Sequence, residues 1–350
     1  MIKVLVVEDS AVAREALVHI LGSDGEIEVI GTAKNGREAL ETLKTKKPDI
    51  ITMDIHMPEM DGFEATRKIM ETQPVPIVIV SGSTTVGEVT MTFKAIEAGA
   101  LAIVPRPKGT GHPDYEAAVG ELVQTIKLMS EVKVVRRWAK VNNITLPPVV
   151  ETRVKQESST IKLVAIGAST GGPMALQTIL CNLPHGFPAP LLIVQHIAAG
   201  FLDGFTKWLS QSSGFPVHIA EDGEYILQGH VYIAPDGFQM MVKNRNSIAL
   251  SREISRDGLR PSVAYLFSSV ARVFKQDACG VLLTGMGSDG AHELKMMKDN
   301  GAVTIAQDKA SCVVYGMPGE AVKAFAATYE LPPEKIAALL VSLAKGGQMR

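Results

Sequence analysis

Short apolar segments alternate with longer amphipathic segments along most of this chain. Apolar segments such as Lys3–Val7 have the length of buried strands, and stretches such as Ala11–Leu21 have the periodicity of helices. Strands separated by helices in this way predict βαβ units, in which helices cover a parallel sheet. The alternation occurs twice, because it degrades near residue 131 and restarts at Ile161.

The two stretches predict two α/β domains joined by a linker, and 350 residues are enough for two hydrophobic cores. We assign residues 1–125 to the first domain, 126–160 to an exposed linker and 161–347 to the second domain. Both domains are expected to be doubly wound, and the second to carry a β-hairpin-rich insertion. The predicted strands are Lys3–Val7, Ile50–Met53, Ile77–Val80 and Leu101–Val104, then Leu163–Ile166, Leu191–Gln195, Gly280–Thr284 and Ala302–Ala306, with Val217–Ala220, Val231–Ala234, Gln239–Lys243 and Ser247–Ser251 in the insertion.

Charge and cysteine usage exclude several classes of protein. Lys and Arg number 35 against 37 Asp and Glu, so binding to nucleic acid by phosphate neutralisation is not expected. The three cysteines are widely spaced, which predicts neither disulfides nor a zinc site. The longest apolar runs, such as Leu191–Val194, are far shorter than the about 18 residues of a membrane span. We therefore expect a cytoplasmic protein without membrane insertion.

Three carboxylates follow predicted strands of the first domain. Glu8 and Asp9 come after the first strand, and Asp54 comes directly after Ile50–Met53. In an open parallel sheet such strand ends meet where the strand order reverses. Close carboxylates repel one another unless a cation neutralises them, and oxygen ligands suit Mg²⁺. One carboxylate could then attack a phosphoryl group; the alternative is that all three are ordinary loop acids.

The strings around these acids, Val6–Ser10 and Met53–Gly62, resemble the response-regulator receiver domain, and the likeness covers about residues 1–125. The resemblance implies a flavodoxin-like fold and a phosphoprotein of two-component signalling, with a chemotaxis-type histidine kinase as phosphodonor. It also implies a role for each matching residue: Asp54 as phospho-acceptor, Glu8, Asp9, Asp54 and the backbone carbonyl of His56 as Mg²⁺ ligands, and Ser81 as the hydroxyl switch residue.

Two positions depart from the receiver pattern. Arg106 stands before Pro107 where the family has lysine, and Ile103 replaces the usual switch aromatic. Arginine keeps the positive charge, but its planar guanidinium makes the exchange non-conservative. We therefore expect phosphorylation at Asp54, with weak or altered activation.

In the second domain, Ser169 lies in a Gly-rich turn after strand Leu163–Ile166. The turn satisfies Gly-x-Ser-x-Gly, but alone it fits a phosphate-binding loop as well as a serine nucleophile. His196 and Asp289 also follow predicted strands, and a serine nucleophile needs such a base and such an orienting acid. Their joint placement favours a triad, whose chain order of Ser, His and Asp differs from that of α/β-hydrolases.

The second domain resembles the CheB methylesterase family, and with the receiver motifs the likeness covers essentially the whole chain. The matching strings are 167–172, Gln195-His196, 283–291 and 315–318. The resemblance implies a carboxylic ester hydrolase that removes methyl groups from glutamate γ-methyl esters on the cytoplasmic helices of chemoreceptors, and so resets adaptation in chemotaxis. It also implies deamidation of receptor glutamines, and inhibition by the receiver that phosphorylation relieves.

The same resemblance assigns the site of the second domain residue by residue. It implies Ser169 as the nucleophile, His196 as the general acid/base and Asp289 as the residue that orients the histidine. The backbone N–H of Met286 is expected in the oxyanion hole and Thr170 along the site, with no cofactor in this domain. The open alternatives are a non-catalytic signalling adaptor and a hydrolase of a different acylated protein. We expect a monomer.

Two further positions depart from the CheB pattern. Gln239 stands where members often have histidine, and Ala264 where they often have aspartate. Neither belongs to the predicted triad. We expect these changes to alter partner contacts or the hydrogen bonds behind the site rather than the type of reaction.

Overall fold

The computed structural model describes residues 1–82, 85–134, 160–255 and 257–345. These residues form two compact units, one built around residues 1–82 and the other around residues 160–345. Most of the predicted linker 126–160, and the last residues of the predicted domain 161–347, lie outside the described residues. Among the described residues no helix is both long and apolar enough to cross a membrane.

The first unit is a parallel sheet with helices on both faces. The elements of residues 1–134 are β1 (Ile2–Val7), α1 (Ala11–Gly22), β2 (Ile27–Ala33), α2 (Gly36–Thr45), β3 (Ile50–Met53), α3 (Gly62–Thr72), β4 (Ile77–Ser81), α4 (Val86–Ala98), β5 (Ala102–Pro105) and α5 (Tyr115–Ser130). The strands pair in the order β2-β1-β3-β4-β5, all parallel. Because β1 and β3 are neighbours, the strand order reverses between them, and sites form beyond such a reversal.

Local sequence accounts for these elements. Val4–Val7 and the whole of β3 are almost fully buried, as expected for strands covered by helices on both faces. The side chains of Ser10, Asn35 and Asp61 begin α1, α2 and α3, each accepting the backbone N–H three residues further on. A polar residue after each strand therefore starts the following helix at the carboxyl edge of the sheet.

The second unit has a seven-stranded parallel sheet. Its elements are β6 (Leu163–Ala168), α6 (Gly172–Cys181), β7 (Leu191–Gln195), α7 (Leu202–Ser213), β8 (Val217–Ile219), β9 (Val231–Ile233), β10 (Gln239–Asn244), β11 (Ser247–Ser251), α8 (Val263–Val273), β12 (Ala278–Leu282), α9 (Ala291–Asp299), β13 (Val303–Gln307), α10 (Met317–Lys323), β14 (Tyr329–Leu331) and α11 (Pro333–Ala344). The order β14-β13-β12-β6-β7-β9-β8 reverses between β6 and β12. The predicted doubly wound α/β class is confirmed for both units.

The strands of the predicted insertion divide between two sheets. β8 and β9 join the main sheet in parallel, and only β10 and β11 pair as an antiparallel hairpin, so the insertion is less rich in hairpins than the sequence suggested. The sequence prediction also lacked β2 and β14, because their partly exposed residues form no continuous apolar run. β12 ends at Leu282 rather than at the predicted Thr284, which therefore lies in the loop beyond the strand.

Helix α8 fixes the hairpin against the main sheet. Its apolar side chains share one buried cluster with the hairpin and with β6 and β12, and the backbone N–H of Val242 donates to Ser269 Oγ at 3.0 Å. The cluster members that matter here are Val263, Leu266, Phe267, Val270, Met240, Ile248, Leu163 and Leu282. This packing sets where the N-terminus of α8 lies relative to the carboxyl edge of the sheet.

We expect Gly62→Ala to destabilise the first unit locally. A Cβ at Gly62 would collide with the backbone carbonyl of Asp54, which cannot rotate away as a side chain can. The expected loss is about 1–3 kcal/mol of local opening free energy, measured by hydrogen exchange of the peptides covering β3 and α3. Gly120→Ala is the control, because a Cβ there meets open space within α5. Equal protection in the two variants would contradict the prediction.

Candidate functional site

The acidic cluster lies where β1 and β3 end. Glu8 and Asp54 are buried and Asp9 is exposed, and one carboxylate oxygen of each lies within 4.8 Å of the others. Arg14 holds the loop, because its Nη1 donates to the carbonyl of Glu8 at 2.8 Å and to that of Asp9 at 3.1 Å. The structure therefore brings together the three acids that the sequence singled out.

Burial disfavours the charged forms of Glu8 and Asp54 in this cluster. Burial, with the nearby charge of Asp54, raises the pKa of Glu8 to about 7 although Arg106 opposes the shift. Burial likewise raises the pKa of Asp54 above its ordinary value. Within the described chain, Glu8 Oε2 is buried without a hydrogen-bond partner. An unpartnered buried oxygen among three carboxylates fits a hard divalent cation, which prefers oxygen ligands.

The other residues predicted for the first unit lie around the same edge, with one position untested. Ser81 is the buried last residue of β4, and the backbone N–H of Arg106 donates to its carbonyl at 2.8 Å. The guanidinium of Arg106 reaches Glu8, with Nη1 2.9 Å from Oε1. Ile103 lies within β5. The backbone carbonyl of His56 stays a predicted ligand.

The turn after β6 places Ser169 at the carboxyl edge of the second sheet. The backbone N–H of Ser169 donates to Thr284 at 3.0 Å, and the Ser169 carbonyl accepts the N–H of Gly172 at 2.8 Å, where α6 begins. Gly171 adopts φ +80°, and a Cβ there would press against Val313 at 2.7 Å. The turn thus needs glycine, and it leaves the serine partly exposed at a helix start.

His196 and Asp289 meet beside this turn. His196 follows β7, whose last residue pairs with Ala168, so it stands next to Ser169 across the sheet. Its Nε2 lies 2.9 Å from Asp289 Oδ2. With an ionised aspartate, Nε2 carries the proton and Nδ1 keeps the lone pair that a general base needs. Within the described residues the serine hydroxyl itself forms no hydrogen bond, a looseness usual before substrate binds.

The N-terminus of α8 holds the carboxylate of Asp289. Ser262 Oγ donates to Oδ1 at 2.8 Å, the N–H of Val263 to Oδ2 at 2.7 Å and the N–H of Ala264 to Oδ1 at 3.1 Å. Burial alone would raise the pKa of Asp289, but the hydrogen bonds from His196, Ser262 and Val263 outweigh it and hold that pKa below its ordinary value. Asp289 therefore stays ionised at neutral pH.

The loop after β12 closes the site on the other side of Ser169. Gly285 pairs with Tyr315, and its carbonyl accepts the N–H groups of Gly316 and Met317 at 3.1 and 2.9 Å. A Cβ at Gly285 would lie 2.7 Å from the Cβ of Ser169, so the loop passes the serine too closely for any other residue. Met286, whose backbone N–H is predicted to lie in the oxyanion hole, follows Gly285 and has an exposed side chain.

Thr170 is fixed by its backbone. Its carbonyl accepts a hydrogen bond from Thr284 Oγ1 at 2.9 Å, and Thr284 Oγ1 also bonds Val314. The backbone N–H of Thr284 in turn donates to Gln307 Oε1 at 2.8 Å. The loops after β6, β12 and β13 are therefore connected through one threonine hydroxyl, which keeps Thr170 beside the predicted nucleophile.

Two buried glutamines support the site, and sequence reasoning did not find their roles. Gln195 Nε2 donates to the carbonyls of Ser169 and His196 at 2.9 and 2.8 Å, and so connects the two residues. Gln239 is fully buried; its Oε1 accepts the N–H of Ser262 at 2.8 Å, and its Nε2 donates to the loop 253–259. Gln239 therefore contributes hydrogen bonds behind the site, and an effect of this position on partner contacts stays a prediction.

Fold and site together define a two-unit α/β protein, with a receiver-type acidic cluster in one unit and a serine–histidine–aspartate arrangement in the other. A family model described as the CheB methylesterase matches residues 164–340, and one described as the response regulator receiver domain matches residues 4–112. The chain belongs to the CheB methylesterase family and carries a response-regulator receiver domain.

Relatives along the full length agree. A Nitrosospira multiformis protein named protein-glutamate methylesterase/protein-glutamine glutaminase is 56% identical, covering 98% of this chain and 97% of its own. One from Geobacter metallireducens with the same name is 53% identical, covering 98% and 99%. The Thermotoga maritima CheB methylesterase catalytic domain has a TM-score of 0.51 at 40% identity, covering 53% of this chain and 99% of that one. The predicted family and the predicted class of carboxylic ester hydrolase are confirmed.

We expect Mg²⁺ to bind the first unit about tenfold more tightly at pH 8 than at pH 6. Below its raised pKa of about 7, Glu8 is protonated and must release its proton before it can bind a cation; above pH 7 that cost disappears. Isothermal titration with MgCl₂ at the two pH values measures the difference. Glu8→Gln should bind more weakly and should lose this pH dependence. A wild-type affinity that does not change with pH would contradict the prediction.

Proposed function

We propose that this chain hydrolyses glutamate γ-methyl esters on the cytoplasmic helices of chemoreceptors, with Ser169 as nucleophile, His196 as general acid/base and Asp289 as its orienter. The observation that supports these roles best is the 2.9 Å contact of His196 Nε2 with an Asp289 carboxylate held ionised by α8, at the edge where the turn of Ser169 lies. Methylesterase names among full-length relatives support the substrate class.

The reaction follows from these positions. Ser169 Oγ attacks the γ-carbonyl carbon while His196 Nδ1 takes its proton, and the carbonyl oxygen becomes an oxyanion. The backbone N–H of Met286 donates to that oxyanion, a contact of a kind that typically contributes about 10²–10³ in rate, and Thr170 lines the site. The carbon–oxygen bond to the methoxy group then breaks as His196 gives its proton to the methoxy oxygen, which leaves as methanol.

The second half restores the enzyme. His196 takes a proton from water, the hydroxide attacks the acyl-serine, and glutamate leaves as Ser169 recovers its proton. Glutamine reacts by the same steps with ammonia as the leaving group, and the relatives' printed names include protein-glutamine glutaminase. No cofactor is needed in this unit, because the serine and histidine supply both nucleophile and proton transfer.

For the first unit we propose Asp54 as the phospho-acceptor. Glu8, Asp9, Asp54 and the backbone carbonyl of His56 would hold Mg²⁺, which stabilises charge on a transferring phosphoryl group when bound. Asp54 supplies the attacking oxygen, and a chemotaxis-type histidine kinase the phosphoryl group. Ser81 and Arg106 would bond the phosphoryl oxygens, which their position at the ends of β4 and β5 supports. Because arginine replaces lysine and Ile103 replaces an aromatic, activation by phosphorylation is weak or altered.

We also propose the domain boundaries, the cellular location, the oligomeric state and the partners of the protein. We assign residues 1–125 to the receiver, 126–160 to the linker and 161–347 to the methylesterase domain. We place the protein in the cytoplasm, as a monomer that binds receptor helices and a histidine kinase but neither nucleic acid nor the membrane interior. The near balance of acidic and basic residues supports the exclusion of nucleic acid.

Ser169→Ala is expected to lower methanol release from methylated receptor membranes by more than about a thousandfold, because the nucleophile is lost. Ser212→Ala is the control; that hydroxyl bonds only the carbonyl of Leu209 at the end of α7. Release that persists in Ser169→Ala would reject the nucleophile. No release from wild type would favour an adaptor or a different acylated substrate.

Asp54→Asn should abolish labelling of the protein by radioactive acetyl phosphate and any change in methanol release that acetyl phosphate causes. Asp61→Asn is the matched control from the same loop. Asp61 begins α3 by accepting the Glu64 N–H at 2.7 Å, and an asparagine can accept the same hydrogen bond. Labelling of Asp54→Asn at the level of wild type would place the phosphoryl group on another residue.

A further inference from the structure

Arg106 contacts the acidic cluster through an ion pair with one of its predicted metal ligands. Its Nη1 lies 2.9 Å from Glu8 Oε1, and the side chains of Arg106 and Glu8 are 28% and 1% exposed. Solvent and salt screen such a partly buried pair less than a pair on the surface. The guanidinium therefore places beside the cluster a positive charge that solvent and salt screen only in part.

Gly82 provides the space that the guanidinium occupies. A Cβ at Gly82 would lie 2.7 Å from Arg106 Nε and 2.9 Å from Cζ, and closer still to Nη2. Because atoms do not approach so closely, any side chain at this position must push the guanidinium away from Glu8. The compact ammonium of a lysine has no planar head to accommodate. Gly82 and Arg106 are thus matched to each other.

The two carboxylate oxygens of Glu8 have different surroundings. Its Oε1 accepts Arg106 and the N–H of Ser10, while Oε2 is buried among the acids without a partner in the described chain. We propose that Arg106 is an internal counter-ion of the cluster, which Gly82 admits, and that it competes with Mg²⁺ for Glu8. The inference rests on the proposed Mg²⁺ site and deepens it, since cation binding then draws Glu8 away from Arg106.

The test measures Mn²⁺ binding to the full-length chain by electron paramagnetic resonance, with MgCl₂ as competitor. Gly82→Ala keeps every charge but displaces the guanidinium, so we expect binding about threefold to fivefold tighter than in wild type, the size of a modest ion pair. Gly109→Ala, close to Arg106 in sequence and with open space around the new Cβ, should leave the affinity unchanged.

The same glycine substitution in the Arg106→Lys background completes a double-mutant cycle. In Arg106→Lys, the further change Gly82→Ala should have no effect on affinity, because no guanidinium fills the space. In wild type, addition of MgCl₂ should shift the NMR signal of the Arg106 Nε–H. Unchanged affinity in Gly82→Ala would overturn the counter-ion proposal while the metal site stands. Absence of Mn²⁺ binding in wild type would overturn both the metal site and this inference.

Discussion

Both sites depend on carboxylates that the fold buries at the carboxyl ends of parallel strands. A buried carboxylate is costly unless hydrogen bonds or a cation stabilise its charge. At Asp289 the N-terminus of α8 and His196 supply the donors, and the pKa falls. At Glu8 the donors are too few, and the pKa rises to about 7. Hydrogen bonds therefore stabilise the charge of Asp289, whereas the charge of Glu8 is stabilised only in part.

The different stabilisation of the two carboxylates suits the two kinds of chemistry that we propose for the units. The orienting acid that we propose must keep one charge state and one geometry through many turnovers, and four hydrogen bonds hold Asp289 in this way. The cation and phosphoryl site that we propose in the first unit must instead leave ligand positions open. The unpartnered Oε2 of Glu8 is such a position, and Arg106 satisfies only the other oxygen.

The sequence predicts the residues whose place follows from topology, and misses those whose place follows from packing. Ser169, His196 and Asp289 each follow an apolar strand, so the strand pattern alone brings them to one edge. The roles of Gln195 and Gln239 depend instead on which carbonyls and N–H groups their amides meet, and nothing in the local pattern encodes this. The pairing of β8 with the main sheet was missed for the same reason, because strands this short show no difference between parallel and hairpin pairing.

Gln239 connects the loop residues Glu253 and Leu259 with the residues that hold Asp289. Its amide donates to the carbonyls of Glu253 and Leu259, and its Oε1 accepts the N–H of Ser262, which bonds Asp289. The amide of Gln239 therefore connects Glu253 and Leu259 with the start of α8, whose donors hold the carboxylate of Asp289. Because Gln239 is fully buried, its amide must be hydrogen-bonded, and this requirement fixes the start of α8 relative to the carbonyls of Glu253 and Leu259.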